Sequence, residues 1–187
     1  SASDEVESEF AHTNFRDLPP MTDPDALLMG SLLGASLDIA YAAGQMALLG
    51  VITTRLLRLA LEFGNSDMTT LGYVFYACVR QGQCNDPRGA REFGELAVDL
   101  CENHSPILQN KIFTAMGALL NHFYAHLRHG ITYFERAYQL VMEAGQPVYA
   151  SFHAYYIPTY WMLVGDDLVQ LRQNMEPYVA LLKRIKN

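Results

Sequence analysis

Charged residues are scarce: Asp, Glu, Lys and Arg make up 18% of the 187 residues, below the quarter or so usual for a globular domain. So little charge implies that part of the outer face is covered by a neighbouring domain or a second copy. Basic residues are scarcer still, 13 against 20 acidic ones, giving a formal net charge of −7. They are scattered, and the tightest group is Lys183, Arg184 and Lys186 at the C-terminus, where cations complement a helix dipole. That pattern argues against a nucleic-acid partner, which demands clustered Lys and Arg.

Cysteine is equally thin. Cys78, Cys84 and Cys101 form an odd set with no CxxC pair, which fits neither a disulfide framework nor a zinc pattern. They read as small hydrophobic residues of a reducing, cytoplasmic compartment. The N-terminus carries Asp4, Glu5, Glu7 and Glu9, unlike the basic-then-apolar start of a signal peptide. No phosphate-cradling GxxxxGK[ST] or GxGxxG occurs, and no serine sits in GxSxG. No cofactor is implied.

What is present is apolar and helical. Hydrophobic residues make up half of the chain, enough for a sizeable core. The run from Ala26 to Ile52 is apolar enough to test as a membrane span. Asp38 near its middle would be costly there, the Gly44-Gln45 pair splits it, and no Trp or basic anchors flank it. Two buried helices are expected instead.

Residues 1–20 read as an extended acidic lead ending at Leu18-Pro19-Pro20, where proline disfavours helix. Residues 21–187 read as one helical-repeat domain. Eight helices are expected over 24–42, 45–63, 67–82, 87–103, 106–128, 130–144, 147–164 and 167–185. The breaks carry turn chemistry at Gly44, Gly64-Asn65-Ser66, Gly82 to Pro87, Asn103 to Pro106, Gly130, Gly145-Gln146-Pro147 and Gly165-Asp166. Glycine past a helix end and proline just inside the next start is the asymmetry that helix ends favour. Breaks this short fold consecutive helices into antiparallel hairpins.

A shift of 40 residues brings Ala97 onto Ala137 and Leu100 onto Leu140. It also aligns Phe75, Ala115 and Tyr155, and Tyr76, Met116 and Tyr156. This spacing predicts an all-α, tetratricopeptide-like α-solenoid of about four antiparallel helix pairs, each hiding its apolar face on the next. A fragment of such an array would leave apolar flanks on 24–63 and 147–185, predicting self-association.

Two side-chain groups are candidates for function. His122, His126 and His129 share one face of the expected 106–128 helix and its continuation, a spacing that can chelate zinc. Phe123 follows His122, so the HExxH arrangement is absent; a polar helix rim explains the same histidines. The second group is aromatic: Tyr124, Phe152, His153, Tyr155, Tyr156, Tyr160 and Trp161 suit a recognition groove, while their helical spacing also suits core packing. Pro158 is expected to kink its helix. Asp166 and Asp167 read as a helix cap rather than a carboxylate pair.

The segments Asp17-Leu18-Pro19-Pro20-Met21-Thr22-Asp23-Pro24, Leu59 to Ser66, Gly72 to Tyr76 and Arg91 to Ala97 resemble the helical-repeat region of very large microbial signalling proteins. In that family a serine/threonine-kinase-like domain and an ATPase module precede a tetratricopeptide-like region, often followed by a GAF domain and a sensor histidine kinase. The resemblance covers residues 17–104 and loosens beyond. It implies a middle segment whose catalytic residues lie outside this chain, with a role in communication or partner binding. The expected function is thus a non-catalytic scaffold contacting proteins or neighbouring domains, with homo-oligomers in view. The alternatives are a small-molecule sensor with a pocket near Tyr155, Tyr156 and Trp161, and a metal-dependent hydrolase on the histidine face.

Overall fold

A computed structural model of the chain describes Phe10 and residues 13–185. The acidic run Asp4–Glu9 lies outside the described residues. The protein is all-helical, with no strand among the described residues. Among the described residues, eight α-helices follow Phe10 in order: α1 Pro24–Ala42, α2 Met46–Phe63, α3 Asp67–Gly82, α4 Pro87–Leu100, α5 Pro106–Ala115, α6 Leu127–Glu143, α7 Pro147–Leu163 and α8 Leu168–Ile185.

Their starts are written in short polar side chains and prolines. Asp23 accepts the Ala26 N–H (2.8 Å), Asp86 accepts the Gly89 N–H (3.0 Å) and Ser105 accepts the Leu108 N–H (3.4 Å). Each satisfies a donor that the helix itself leaves open. Pro24, Pro87, Pro106 and Pro147 occupy the first turn of α1, α4, α5 and α7, where a missing N–H is harmless. Asp167 caps α8 through the N–H groups of Val169 and Gln170 (both 3.0 Å), while Asp166 pairs with Arg128 (2.6 Å).

The chain divides into two compact units between Thr69 and Thr70. In the first, α1 and α2 form a hairpin, with Met21, Ala26 and Leu59 clustered against Phe63. The stretch before α1 is tied down rather than free. Asn65 donates from its side chain to the Phe15 carbonyl (2.8 Å) and from its backbone to the Pro19 carbonyl (2.7 Å), and Phe15 is buried. Gly64, which ends α2, has φ +96°, and a Cβ there would lie 2.1 Å from the Pro19 oxygen. Both the left-handed backbone and the close approach require glycine.

α1 is less covered than expected. It buries Ala26, Gly30, Gly34, Leu37 and Ala40 but leaves Leu28, Met29, Leu32 and Ile39 exposed. Among the described residues it is also the helix long and apolar enough, by length and composition, to cross a membrane.

In the second unit each helix from α5 to α8 packs on its neighbour in sequence. α6 is covered on two sides, burying Ile131, Phe134, Ala137 and Val141. The starts of the last two helix pairs are offset by a constant step: Pro106 to Pro147 and Leu127 to Leu168 are each 41 residues. Ala97 and Ala137 are both fully buried, as their alignment predicts. From α5 to α7, however, the step of 41 rather than 40 pairs Tyr155 with Thr114. Tyr155 is 64% exposed, whereas Phe75 and Ala115 are buried.

The expected 106–128 helix ends early. α5 passes into a π-helical turn at Met116–Leu120 and a 3-10 turn at Asn121–Phe123. Asn121 is buried there and donates to the His126 carbonyl (3.1 Å). Gly130, expected as a break, lies inside α6. A Cβ on Gly130 would sit 3.0 Å from the Tyr160 ring and 3.3 Å from the Gly117 oxygen. The glycine thus serves helix approach rather than helix termination.

Overpacking this contact is expected to be destabilising. Gly130→Leu should lower the unfolding free energy by about 1–3 kcal/mol, read from the urea midpoint. An unchanged midpoint contradicts the close packing of α5, α6 and α7.

Candidate functional site

Six of the seven aromatic and histidine candidates lie on α7, and the helix sorts them by face. Tyr156 stacks on Phe134 of α6 at 5.0 Å and Tyr160 meets the same ring edge-on at 4.9 Å. The Tyr160 hydroxyl donates to the Gly117 carbonyl (3.1 Å). Trp161 contacts Tyr178 of α8 (5.9 Å), which in turn meets Tyr138 of α6 (5.3 Å). These rings fill the space between α6, α7 and α8, so Tyr156, Tyr160 and Trp161 are joined mainly by packing. Buried Pro158 lies within the same helix.

Phe152 and Tyr155 face outward with Val148; they are 57%, 64% and 61% exposed. Tyr124 belongs to neither group. It follows the 3-10 turn, its hydroxyl is 4.0 Å from the Met116 sulfur, and the Arg91 guanidinium lies 5.7 Å from its ring. The structure therefore splits the expected groove into an interior cluster, an exposed α7 face and a separate tyrosine.

His153 is fully buried. Its Nε2 donates to Asn110 Oδ1 of α5, with the Thr114 hydroxyl 3.5 Å away and the Phe134 ring 6.1 Å away. Nδ1 has no hydrogen-bond partner. Burial pushes the imidazole down to about 4, because the charged form is poorly solvated there. His153 is thus a neutral core group at physiological pH.

The three-histidine face does not form, because the helix breaks between its members. His122 lies in the 3-10 turn against the Phe123 ring (4.2 Å). His126 is the N-cap of α6 and accepts the Arg128 N–H at Nδ1 (3.1 Å); His129 lies in the first turn of α6. Among the described residues no group of three or more His, Cys, Asp or Glu side chains is placed to hold a metal. Burial raises the Cys78 thiol to about 12 and the Cys101 thiol to about 11, so neither is a thiolate at neutral pH.

Two features were not singled out from the sequence. Asn110 and Thr114 position His153, and α8 presents an open, largely apolar face lined by Leu168, Arg172, Met175 and Val179 among others. Its signal is the i, i+4, i+7, i+11 spacing of those four residues, one stripe of a helix. No protein-family model matches the chain, and no solved structure matches it.

The depressed His153 value has a signed consequence. The unfolded imidazole takes a proton near its ordinary value of 6.5, whereas the folded one takes it only near 4. Stability is therefore full above pH 6.5 and falls as the pH drops toward 4. Glu135, raised by burial, works in the opposite sense. His153→Gln is accordingly expected to flatten the fall in melting temperature between pH 6.5 and 4, measured by circular dichroism against wild type. Parallel curves for the two proteins contradict the buried neutral imidazole.

Proposed function

We propose that the chain is a non-catalytic helical-repeat scaffold, a tetratricopeptide-like α-solenoid of four antiparallel helix pairs. It serves as a module of a multidomain signalling protein in the cytoplasm, contacting other proteins or neighbouring domains of its own polypeptide. The observation that carries this reading is the repeated register of the second unit. α5 and α6 recur as α7 and α8 at a step of 41 residues, with each helix packed on the next. A stack built this way covers its inner pairs and leaves its end faces apolar.

Among the described residues, exposed large hydrophobic side chains lie on α1 and α2 in the first unit and on α7 and α8 in the second, with Phe123 besides. Exposed apolar surface of this extent marks sites of association. α1 is read here as a docking helix rather than a span, since Gly44 turns the chain back at its end and α2 packs along it. The sensor reading needs a closed apolar cavity with a few converging polar groups near Tyr155, Tyr156 and Trp161. Tyr156 and Trp161 instead contact Phe134 and Tyr178, which favours the scaffold.

The exposed α7 face supplies the test. In the intact polypeptide, Phe152→Ala combined with Tyr155→Ala is expected to weaken capture of its partner about tenfold, the scale of losing hot-spot side chains. Its circular dichroism should remain unchanged. Tyr160→Ala, by contrast, should cost about 3–5 kcal/mol of stability, because it empties a buried, hydrogen-bonded position. Undiminished capture by the folded double variant contradicts the assignment.

A further inference from the structure

We infer that Tyr138, Trp161 and Tyr178, together with the Glu135 carboxylate, form an open cage for a methylated ammonium cation. The site goes beyond the scaffold reading and does not depend on it. Three successive helices build it: α6 carries Glu135 and Tyr138, α7 carries Trp161 and α8 carries Tyr178. Tyr178 is the middle wall. Its ring centroid is 5.3 Å from Tyr138 with the planes at 68°, and 5.9 Å from Trp161 with the planes at 65°. Two steep angles in succession make two corners of a box rather than a flat stack. The three rings pack on one side against the cluster around Phe134 and Tyr160, yet each stays half-buried and so keeps part of its surface in reach of a solute.

Glu135 supplies the opposite charge. It lies three residues before Tyr138 on α6, a spacing that makes the two side chains neighbours. Burial and then the Glu135 charge raise the Tyr178 phenol, which places the carboxylate beside the middle wall. Glu135 is itself half-buried and makes no hydrogen bond or ion pair with a described residue. Burial raises its carboxyl. A charge drawn out of water without a partner is costly, and a bound cation offsets that cost.

The ligand class follows from what the walls offer. Ring faces attract cations through their quadrupole. They do not replace the hydrogen bonds that a compact, strongly hydrated ammonium makes with water. Methyl groups on the nitrogen remove that demand and add apolar surface for the rings to cover. One carboxylate balances one such charge, and a net charge of −7 draws cations toward the protein.

The cage is separate from the other apolar surfaces. Tyr178 shares its side of α8 with buried Leu171 and Leu181, at steps of seven and three residues. The open stripe of that helix runs instead through Leu168, Met175 and Val179. Trp161 is nine residues from Phe152, which is two and a half turns and puts it on the opposite side of α7.

Trp161 is the chain's single tryptophan, so its fluorescence reports on the site. The experiment titrates the full chain with choline. In parallel it uses the uncharged alcohol in which a tert-butyl group replaces the trimethylammonium. Choline is expected to change the Trp161 emission saturably, and the neutral alcohol to bind at least about tenfold more weakly. Glu135→Gln, which should stay folded by circular dichroism, is expected to weaken choline about tenfold. Tyr138→Leu removes one wall and is expected to weaken it to a similar degree. A peptide bearing trimethyl-lysine separates two sources of the cation. Tighter binding than choline assigns the cage to a methylated protein, and weaker binding assigns it to a free small cation.

No saturable response to either choline or the peptide overturns the inference. So does equal binding of the neutral alcohol, or full choline affinity in folded Glu135→Gln. None of these outcomes touches the scaffold reading, which stands or falls on partner capture through Phe152 and Tyr155.

Discussion

A helix that is apolar on two sides must be covered twice, and α6 is the helix on which this constraint falls. Phe134 is at its centre, fully buried, with Tyr156 stacked on one face, Tyr160 at its edge and His153 6.1 Å away. On the other side a Cβ on Gly117 would come within 2.7 Å of the same ring. α5 alone could not hide Phe134, and neither could α7. The hydrophobic gain from burying so large a ring is available only when helices on both flanks are present, which makes the pair a cooperative unit with its neighbours rather than a free-standing hairpin.

The same constraint accounts for the polar interior. His153, Asn110 and Thr114 occupy the α5–α7 approach, where an imidazole kept neutral can be buried at modest cost if one nitrogen is bonded. The Tyr160 hydroxyl meets the Gly117 carbonyl at the π-helical turn. That turn and the following Asn121 redirect the chain into α6. The histidines that looked like a metal face are by-products of this redirection: one closes the turn and another caps the next helix.

Much of the fold was legible because it is written locally. Proline at the first helical turn, Asp or Ser at the cap and glycine after the last turn fixed most of the breaks. The alignment of Ala97 with Ala137 picked out buried positions of α4 and α6. Gly130 was misleading because local propensity makes glycine a terminator, whereas here its lack of a side chain admits Tyr160 and the Gly117 carbonyl. The candidate groove was legible only in composition. α1 and α7 are apolar all round, so periodicity could not tell covered residues such as Ala154 and Tyr160 from exposed ones such as Phe152 and Tyr155.

The central claim is that coverage runs from neighbour to neighbour along the second unit. Native-state hydrogen exchange tests it most directly, because a stack loses protection from its ends while a single closed core opens all at once. The account predicts the slowest amide exchange in α6, intermediate exchange in α5 and α7, and the fastest in α8. Equal protection of α6 and α8, lost together in one global opening, would contradict it.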